Sequence, residues 1–355
     1  MIYDYGSRDL DFIKIIKNIR DKLTRISGYQ SDKTDNYSTV LLQGSGTYAI
    51  ESVLNSCIPK NNINNQLLII INGKYGDRLL KISTKLNIKT ETLVYSDTEK
   101  INIDDVSQIL DNHKEIKFLA MIHHETSTGQ LNNIKDIGKL TKSRNITFIL
   151  DSMSAFGAVE LDMYHNNIDF LISSSNKCLE GVPGFAFVIS NKKKLLDAKY
   201  STSLCLDLLD QYNNFETNGQ FRFTPPTHTL LAFNQALIEY ENEGGLLARM
   251  KRYKNNYAKL KNGMLNLGFK LYLAENLHGY FITSFLYLDN PKFNFESFYN
   301  YLKDNGYIIY PGKTTDVPSF RIGNIGQLFE NDILCLLKNI DIFINTLKIT
   351  LINNI

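Results

Sequence analysis

Short apolar segments of strand length recur along the first half of the chain, separated by stretches long enough for a helix. They are 39–43 (TVLLQ), 66–73 (QLLIIING), 117–124 (KFLAMIHH), 146–151 (ITFILD), 169–175 (DFLISSS) and 184–190 (GFAFVIS). Alternating strands and helices indicate βαβ units around a mostly parallel sheet. We therefore predict an α/β fold.

Polar residues follow most of these segments. In open α/β sheets, ligands bind beyond the carboxyl ends of the strands. We therefore expect the polar groups at 44–47, 72–75, 123–128, 151 and 173–177 to meet along one edge of the sheet. That edge is the predicted location of a functional site.

The pattern changes in the second half of the chain, after the sequence RFTPPTH at 222–228. A helical stretch follows and is predicted to pass, near the glycine pair at 244–245, into a second long helix. From residue 269 onward, short strands and helices replace the long periodic pattern. We predict a large α/β domain over 1–240 and a smaller C-terminal α+β domain over 241–355.

Composition narrows the possible classes of protein. The chain has 355 residues, 43% of them hydrophobic and 21% charged, which is typical of a globular protein of two domains. Its 39 basic and 37 acidic residues form no long basic block, so neither nucleic acid nor an anionic membrane is an expected partner. No apolar run is long enough to cross a bilayer.

The cysteines indicate a reducing environment. The four cysteines, Cys57, Cys178, Cys205 and Cys335, lie far apart and form no CxxC pair. They therefore predict neither a zinc site nor a disulfide framework. A cytoplasmic protein is expected.

An acid and a lysine follow two of the predicted strands. Asp151 closes ITFILD, and Lys177 lies in the loop SSSNKCLEGVPGF. A buried carboxylate is costly unless a cation meets it, and a structural ion pair satisfies that need. A pyridoxal phosphate site also satisfies it, because a lysine then forms a Schiff base and an acid pairs with the protonated ring nitrogen. The pair alone leaves both interpretations open.

A turn of small residues follows the first predicted strand and opens directly into a helix. The sequence QGSGTYAIESVL places Ser45, Gly46 and Thr47 there. Main-chain N–H groups at a helix N-terminus, together with hydroxyl groups, suit a phosphate dianion. The same residues are ordinary helix N-caps, so the turn alone does not decide between the two. It is neither a Walker loop nor a GxGxxG fingerprint, which weighs against a nucleotide.

Aromatic and hydroxyl side chains follow two further strands. Tyr75, in NGKYGDR, is placed to stack on a planar ring, although one tyrosine among 20 carries little weight alone. The sequence HHETSTGQ supplies hydroxyl groups at 126–128, which are suited to donate to a phenolate oxygen. The histidines at 123–124 have no third ligand at metal spacing, so we expect them to form local hydrogen bonds and no metal site.

Taken in order, these motifs resemble the class V aminotransferases, which are fold-type I enzymes that use pyridoxal 5'-phosphate. The motifs that carry the resemblance are GSGTYAIE, NGKYGDR, HHETSTG, DSMSAFGA, SSSNKCLEGVPGFAFV, RFTPPTH and FRIGNIG. They extend through most of the chain. The resemblance implies a large domain with a mostly parallel seven-stranded sheet between helices, followed by a smaller C-terminal α+β domain.

The resemblance also implies roles for single residues. Lys177 matches the lysine that forms the Schiff base, and Asp151 matches the partner of the pyridine nitrogen. The other implied cofactor contacts are Ser45, Gly46 and Thr47 at the phosphate, Tyr75 stacked on the ring, Thr126 at the phenolate oxygen, Met153 on the opposite ring face and Asn176 beside the phosphate. All of these positions are expectations carried over from the family.

Two further matches concern a second subunit and the substrate. Thr224, in RFTPPTH, matches a residue that reaches the cofactor phosphate of the neighbouring subunit, which implies a homodimer with shared active sites. Arg321, in FRIGNIG, matches the arginine that holds the acidic end of the substrate. The segments around Lys177, Thr224 and Arg321 are most similar to those of family members that use 2-aminoethylphosphonate and pyruvate.

Three alternatives remain at the level of sequence. Alanine–glyoxylate and serine–pyruvate aminotransferases share nearly every cofactor residue. A catalytically impaired domain of a longer polypeptide is the third, because the LLTPGP-like opening of the family does not precede YDYGSRDLDF. The joint presence of Lys177, Asp151 and Arg321 argues against that third alternative. A cysteine desulfurase is disfavoured, because no cysteine lies between Cys205 and Cys335.

Overall fold

The computed structural model describes residues 4–28, 31, 33–312 and 317–347. The helices are α1 (Leu10–Ser27), α2 (Gly46–Cys57), α3 (Lys74–Lys85), α4 (Ile103–Asn112), α5 (Ile134–Ser143), α6 (Lys192–Leu196), α7 (Leu208–Asn218), α8 (Thr227–Glu243), α9 (Gly245–Asn266), α10 (Phe295–Asp304) and α11 (Glu330–Thr346). The strands are β1 (Tyr37–Gln43), β2 (Gln66–Ile71), β3 (Thr90–Val94), β4 (Ile116–Ile122), β5 (His124–Glu125), β6 (Gln130–Leu131), β7 (Thr147–Asp151), β8 (Phe170–Ser174), β9 (Phe185–Asn191), β10 (Ile282–Leu286), β11 (Tyr310–Pro311) and β12 (Ser319–Gly323).

Seven strands form the main sheet, in the order β1-β9-β8-β7-β4-β2-β3. Strand β9 runs antiparallel to both of its neighbours, and the pairs from β8 to β3 are parallel. The central strands are buried along nearly their whole length, which explains why they are continuous apolar runs without alternation. The predicted α/β fold with a mostly parallel seven-stranded sheet is confirmed.

The six apolar segments correspond to β1, β2, β4, β7, β8 and β9, whereas β3 was not predicted. Strand β3 has the sequence TETLV and lies at the edge of the sheet, paired only with β2. Its side chains are largely exposed, and Val94 retains 64% of its surface. An edge strand of this kind needs no apolar pattern, so it leaves little signal in the sequence.

The C-terminal part contains a three-stranded sheet in the order β10-β12-β11, which shares one buried cluster with α10 and α11. Its core is aromatic, and Phe320 packs edge-on against both Phe269 and Phe298 with ring centroids 5.4 Å apart. This buried cluster extends from Leu260 to Ile344, whereas the main cluster ends at Leu246. The division into domains at 240 and 241 stays a prediction.

The predicted passage between two long helices is confirmed. Helix α8 ends at Glu243 with Gly244 as its C-cap, and α9 begins at Gly245. Both glycines have positive φ, 109° and 67°, a backbone conformation that residues with a Cβ rarely adopt. Over the described ranges, the helices are too short or too polar to cross a bilayer.

Candidate active site

A cavity of about 220 Å³ opens beyond the carboxyl ends of the parallel strands. It is lined by Ser45, Gly46, Thr47, Ile50, Tyr75, Arg78, Ile122, His124, Thr126, Asp151, Met153, Ser154, Ser174, Asn176 and Lys177. Nine of the eleven residues singled out from the sequence belong to this set, whereas Thr224 and Arg321 do not. The motifs that follow separate strands therefore meet at one place.

The turn between β1 and α2 forms one wall of the cavity. Ser45 is the N-cap of α2, yet its side chain forms no capping hydrogen bond to the helix. Gly46 begins the helix beside Met153, and a Cβ atom at Gly46 would lie 2.0 Å from Met153 Cε. A side chain at position 46 would therefore displace the end of the Met153 side chain from this place in the cavity. The first turn of α2 is left open to an anion.

Asp151 is the last residue of β7 and lies at the floor of the cavity, only 5% exposed. Burial raises the pKa of its carboxyl to about 7, against the effect of a hydrogen bond from the Met153 amide. That bond has an N–Oδ1 distance of 3.0 Å. Glu125 raises the pKa further, whereas Arg78 and Lys177 lower it. The carboxylate form of Asp151 thus lacks full compensation by the protein.

Lys177 lies in the loop between β8 and β9, half-buried, with its side chain on the cavity. The loop is fixed by its own hydrogen bonds. The Glu180 amide donates to the Lys177 carbonyl oxygen at 2.8 Å, and the Gly181 amide donates to that of Ser175 at 2.9 Å. Beside the lysine, Ser174 Oγ donates to Asn176 Oδ1 at 3.0 Å. The lysine therefore projects from a closed turn.

Glu125, fully buried, was not predicted from the sequence. Its carboxylate accepts hydrogen bonds from the amides of Tyr75 and Gly76 at 3.0 and 3.4 Å, and from Ser127 Oγ at 2.6 Å. Burial raises its pKa, and these donors act in the opposite direction. Glu125 thereby fixes the first turn of α3, which carries Tyr75. The one acid within HHETSTG was the available signal in the sequence.

Arg78 and His124 also line the cavity without having been predicted as site residues. The Arg78 guanidinium lies 4.8 Å from the ring centroid of Tyr75, and its Nη1 donates to Thr47 Oγ1 at 3.3 Å. Its spacing of three residues from Tyr75 on one helix was the available signal. His124 Nδ1 lies 2.9 Å from Ser154 Oγ, and burial lowers its pKa to about 3. His124 is therefore neutral at ordinary pH.

Arg321 lies on β12, next to the cavity and buried. Its Nη1 donates to the Thr126 carbonyl oxygen at 2.7 Å, and its Nε donates to that of Pro311 at 3.2 Å. Burial lowers the pKa of the guanidinium, while Tyr75 is among the groups that raise it. The arginine is thus attached to the loop that supplies Thr126 to the cavity.

Thr224 is exposed and lies apart from the cavity, in a surface groove that also contains Arg222 and Phe223. Gln43 Nε2 donates to its carbonyl oxygen, which connects the segment to the end of β1. The predicted contact of Thr224 is with a second subunit, so its separation from the cavity of its own chain does not test that prediction.

The sequence model of the family described as aminotransferase class-V matches residues 5–329. The chain belongs to the class-V aminotransferases. This agrees with the resemblance that was based on the motifs around Lys177 and Arg321.

Curated class-V relatives match nearly the whole chain. It is 43% identical, over 97% of its length, to a bifunctional phosphonoacetaldehyde hydrolase/aminoethylphosphonate transaminase of Clostridioides difficile. It spans 54% of that protein, about half of its length. It is 44% identical, over 96% of its length, to a 2-aminoethylphosphonate–pyruvate transaminase of Bacillus cereus, and it spans 92% of that protein.

Solved structures of aminotransferases share the fold. The ureidoglycine-glyoxylate aminotransferase of Bacillus subtilis superposes with a TM-score of 0.87 at 22% identity, covering 99% of this chain and 89% of that one. The pyridoxamine-pyruvate aminotransferase of Mesorhizobium loti superposes with a TM-score of 0.88 at 20% identity, covering 98% of this chain and 88% of that one. At these identities, the likeness concerns the fold alone.

The cofactor of class-V aminotransferases is pyridoxal 5'-phosphate, and the cavity fits it. A primary amine, a buried carboxylate and an open helix N-terminus line the same space, at Lys177, Asp151 and Ser45. The carboxylate is the most telling of these, because burial raises its pKa and a cation within the cavity would stabilise its charged form. A protonated pyridine nitrogen is such a cation.

Proposed function

We propose that this protein transfers the amino group of 2-aminoethylphosphonate to pyruvate, giving phosphonoacetaldehyde and L-alanine. The observation that carries the substrate pair is the 44% identity, over 96% of the chain, to a transaminase of that name. The alanine–glyoxylate and serine–pyruvate alternatives have no comparable support. The activity of the whole polypeptide is part of the proposal, since a relative of about twice the length has a second activity in its name.

Lys177 and Asp151 are the proposed catalytic residues. Bound pyridoxal phosphate supplies a conjugated ring that accepts electrons when a proton leaves the carbon bearing the amine. Lys177 Nζ holds the cofactor in the resting protein and, once released, moves that proton as a general acid and base. Asp151 keeps the proton on the ring nitrogen, and in return the nitrogen stabilises the buried carboxylate.

The remaining cavity residues are proposed to hold and orient the cofactor. Their roles are phosphate binding by Ser45, Gly46, Thr47 and Asn176, contact with the two ring faces by Tyr75 and Met153, and a hydrogen bond to the phenolate oxygen from Thr126. The support is that these side chains line one cavity around Lys177. They would hold the ring beside Lys177, in the cavity whose Thr126 loop is bonded to Arg321.

Arg321 is the proposed anchor for both substrates. A guanidinium fork matches a phosphonate and a carboxylate alike, so one arginine serves both halves of the reaction. The hydrogen bonds described for it end on main-chain carbonyl oxygens, which leaves its charge available to a ligand anion. If the Arg321→Lys variant retained wild-type efficiency in both halves, this role would be wrong.

We also propose a homodimer in the cytoplasm, in which Thr224 reaches the cofactor phosphate of the neighbouring subunit. Its exposure beside Arg222 and Phe223 supports an interface there, and the cysteines within the described ranges are free thiols, as a reducing compartment maintains. Sedimentation of wild type and of a Thr224→Ala variant, with cofactor affinity measured for both, tests this proposal. A monomer that binds the cofactor at full affinity would exclude it.

The deciding experiment is an assay of purified protein with 2-aminoethylphosphonate and pyruvate, following phosphonoacetaldehyde and alanine. We expect a visible absorbance band that borohydride removes, with the label on Lys177. Absence of the band in cofactor-saturated protein would refute the whole proposal. A normal band with turnover of alanine and glyoxylate alone would refute only the substrates.

A further inference from the structure

A largely buried group of charged side chains lies next to the Lys177 loop, outside the cavity. We call it the Glu180 cluster, and it consists of Glu180, Glu243, Arg249, Arg252 and Tyr253. Three of its members lie on one face of α9, at positions i, i+3 and i+4. The proposed function assigns no role to any of them.

Glu180 joins this cluster to the lysine. Its backbone has a φ of +57°, a left-handed conformation that is uncommon for a residue with a Cβ. Its amide donates to the Lys177 carbonyl oxygen, so the unusual conformation closes the turn that carries the lysine. Its side chain, 7% exposed, accepts hydrogen bonds from Arg252 Nη2 at 2.8 Å and from the Tyr253 hydroxyl. Such a conformation persists only where surrounding contacts hold it.

Arg249 holds the same loop from a second point. It is 1% exposed, its Nη1 donates to the Cys178 carbonyl oxygen, and its Nε donates to Glu243 Oε2 at 2.7 Å. Burial would raise the pKa of Glu243, but hydrogen bonds from Arg252 and Arg249 bring it below its ordinary value. Two arginines therefore face two glutamates, and the charges balance.

Arg252 connects the lysine loop to the segment that follows Arg321. Its Nη1 donates to the Gly326 carbonyl oxygen at 2.6 Å, while Nη2 and Nε donate to Glu180 and Glu243, each at 2.8 Å. Gly326 lies three residues beyond the end of β12, the strand of Arg321. A single guanidinium thus contacts both chain segments that carry the proposed amine and the proposed anion-binding group.

A buried charged group is weak evidence for stability, because apolar residues often stabilise a core equally well. The cluster contributes positional order, since each of its hydrogen bonds fixes one chain segment relative to another. We propose that Arg252 is a positioning residue that holds the Lys177 loop at a fixed place relative to Arg321. This inference rests on the proposed function, in which those two side chains act on one substrate.

The test compares Arg252→Lys with Arg144→Lys in cofactor-loaded protein. Lysine keeps the charge, but its ammonium cannot reproduce the hydrogen bonds that the planar guanidinium gives to Glu180, Glu243 and Gly326 together. Arg144 is the matched control, because it also pairs through two nitrogens with one carboxylate, that of Asp111, and neither residue lines the cavity. We expect kcat/KM to fall about tenfold or more in Arg252→Lys, with a higher KM for pyruvate, and to stay unchanged in the control.

A second readout separates positioning from a merely structural role. The visible band of lysine-bound cofactor is titrated with pH in resting protein, without substrate. We expect its midpoint to move by about half a pH unit or more in Arg252→Lys, since the amine environment changes. A lower Tm with an unchanged midpoint and unchanged kinetic constants would overturn the inference.

Glu180→Gln provides a variant that keeps both arginines and the shape of the side chain, in case Arg252→Lys does not fold. The same shift in midpoint is expected, and a wild-type midpoint would overturn the inference. Wild-type protein that shows the band but does not turn over 2-aminoethylphosphonate would refute the proposed substrate. The comparison of midpoints would still test Arg252, so the two failures are distinguishable.

Discussion

Asp151→Asn is expected to stabilise the cofactor-free protein at high pH, although it removes a proposed catalytic group. Burial raises the pKa of Asp151 to about 7, whereas an unfolded chain has an aspartate pKa of about 3.9. Between these values the folded protein holds a proton that the unfolded chain has lost. The free energy of unfolding therefore falls as pH rises through this window, by at most about 1.4 kcal/mol per unit.

The size of this loss in the free energy of unfolding depends on how much of the pH range between the two pKa values is crossed. From pH 5 to pH 8 the folded group ionises at about pH 7, which covers two units and gives an upper bound of about 2.7 kcal/mol. The cavity of about 220 Å³ admits water, which reduces the penalty below that bound, so we expect about 1–2 kcal/mol. Asparagine keeps an oxygen for the Met153 amide and does not titrate.

Urea unfolding of cofactor-free wild type and Asp151→Asn, at pH 5 and pH 8 and one protein concentration, measures this difference. Asp289→Asn, a change at an exposed aspartate, is the control. We expect the advantage of Asp151→Asn over wild type to grow with pH, and saturating cofactor to reverse it at pH 8. An advantage that is equal at both pH values would refute the reasoning about the buried carboxylate.

Three further changes test individual contacts. Gly46→Ala should weaken cofactor binding, measured by titration of the visible band, because the new methyl would displace the end of the Met153 side chain into the cavity region, and an unchanged affinity would contradict this packing. Glu125→Gln should lower the free energy of unfolding by about 1–3 kcal/mol, since it leaves buried donors unpaired, and a change below about 0.5 kcal/mol in urea unfolding would argue against this. Arg78→Met should weaken cofactor affinity about two- to fivefold in equilibrium titration, through loss of the contact with Tyr75, and an unchanged affinity would exclude that contribution.

The fold was predictable because burial on both faces makes the central strands of a parallel sheet apolar throughout. The segments ITFILD and DFLISSS became β7 and β8, and the acid that ends the first lies where parallel topology requires. Strand β3 follows no such rule, since its sequence TETLV covers an exposed edge. Strand β3 forms because its main chain pairs with that of β2, and its own residue types do not reveal this pairing.

The candidate site was predictable where the functional group of a side chain by itself indicates the reaction, as the amine of Lys177 does. It was not predictable where a role arises from tertiary contact. Glu125 looks like any polar loop residue until the first turn of α3 is packed above it, and Arg78 looks like a surface arginine of α3. Arg252 is less predictable still, because two of its partners, Glu180 and Gly326, lie 72 and 74 residues away in opposite directions along the chain.

The two hydrogen bonds of Arg321 to Thr126 and Pro311 have a kinetic consequence. A guanidinium carries five N–H groups, and the bonds to these two carbonyl oxygens, taken over the part of the chain that the structure describes, use two of them. Under the proposed function, the two substrates react with different forms of the enzyme but bind through the same guanidinium, so each can occupy the form that the other needs. We expect excess pyruvate to inhibit the consumption of 2-aminoethylphosphonate, and excess aminophosphonate to inhibit the formation of alanine. The ratio of the two substrates in the cell, more than either concentration alone, would then set the flux.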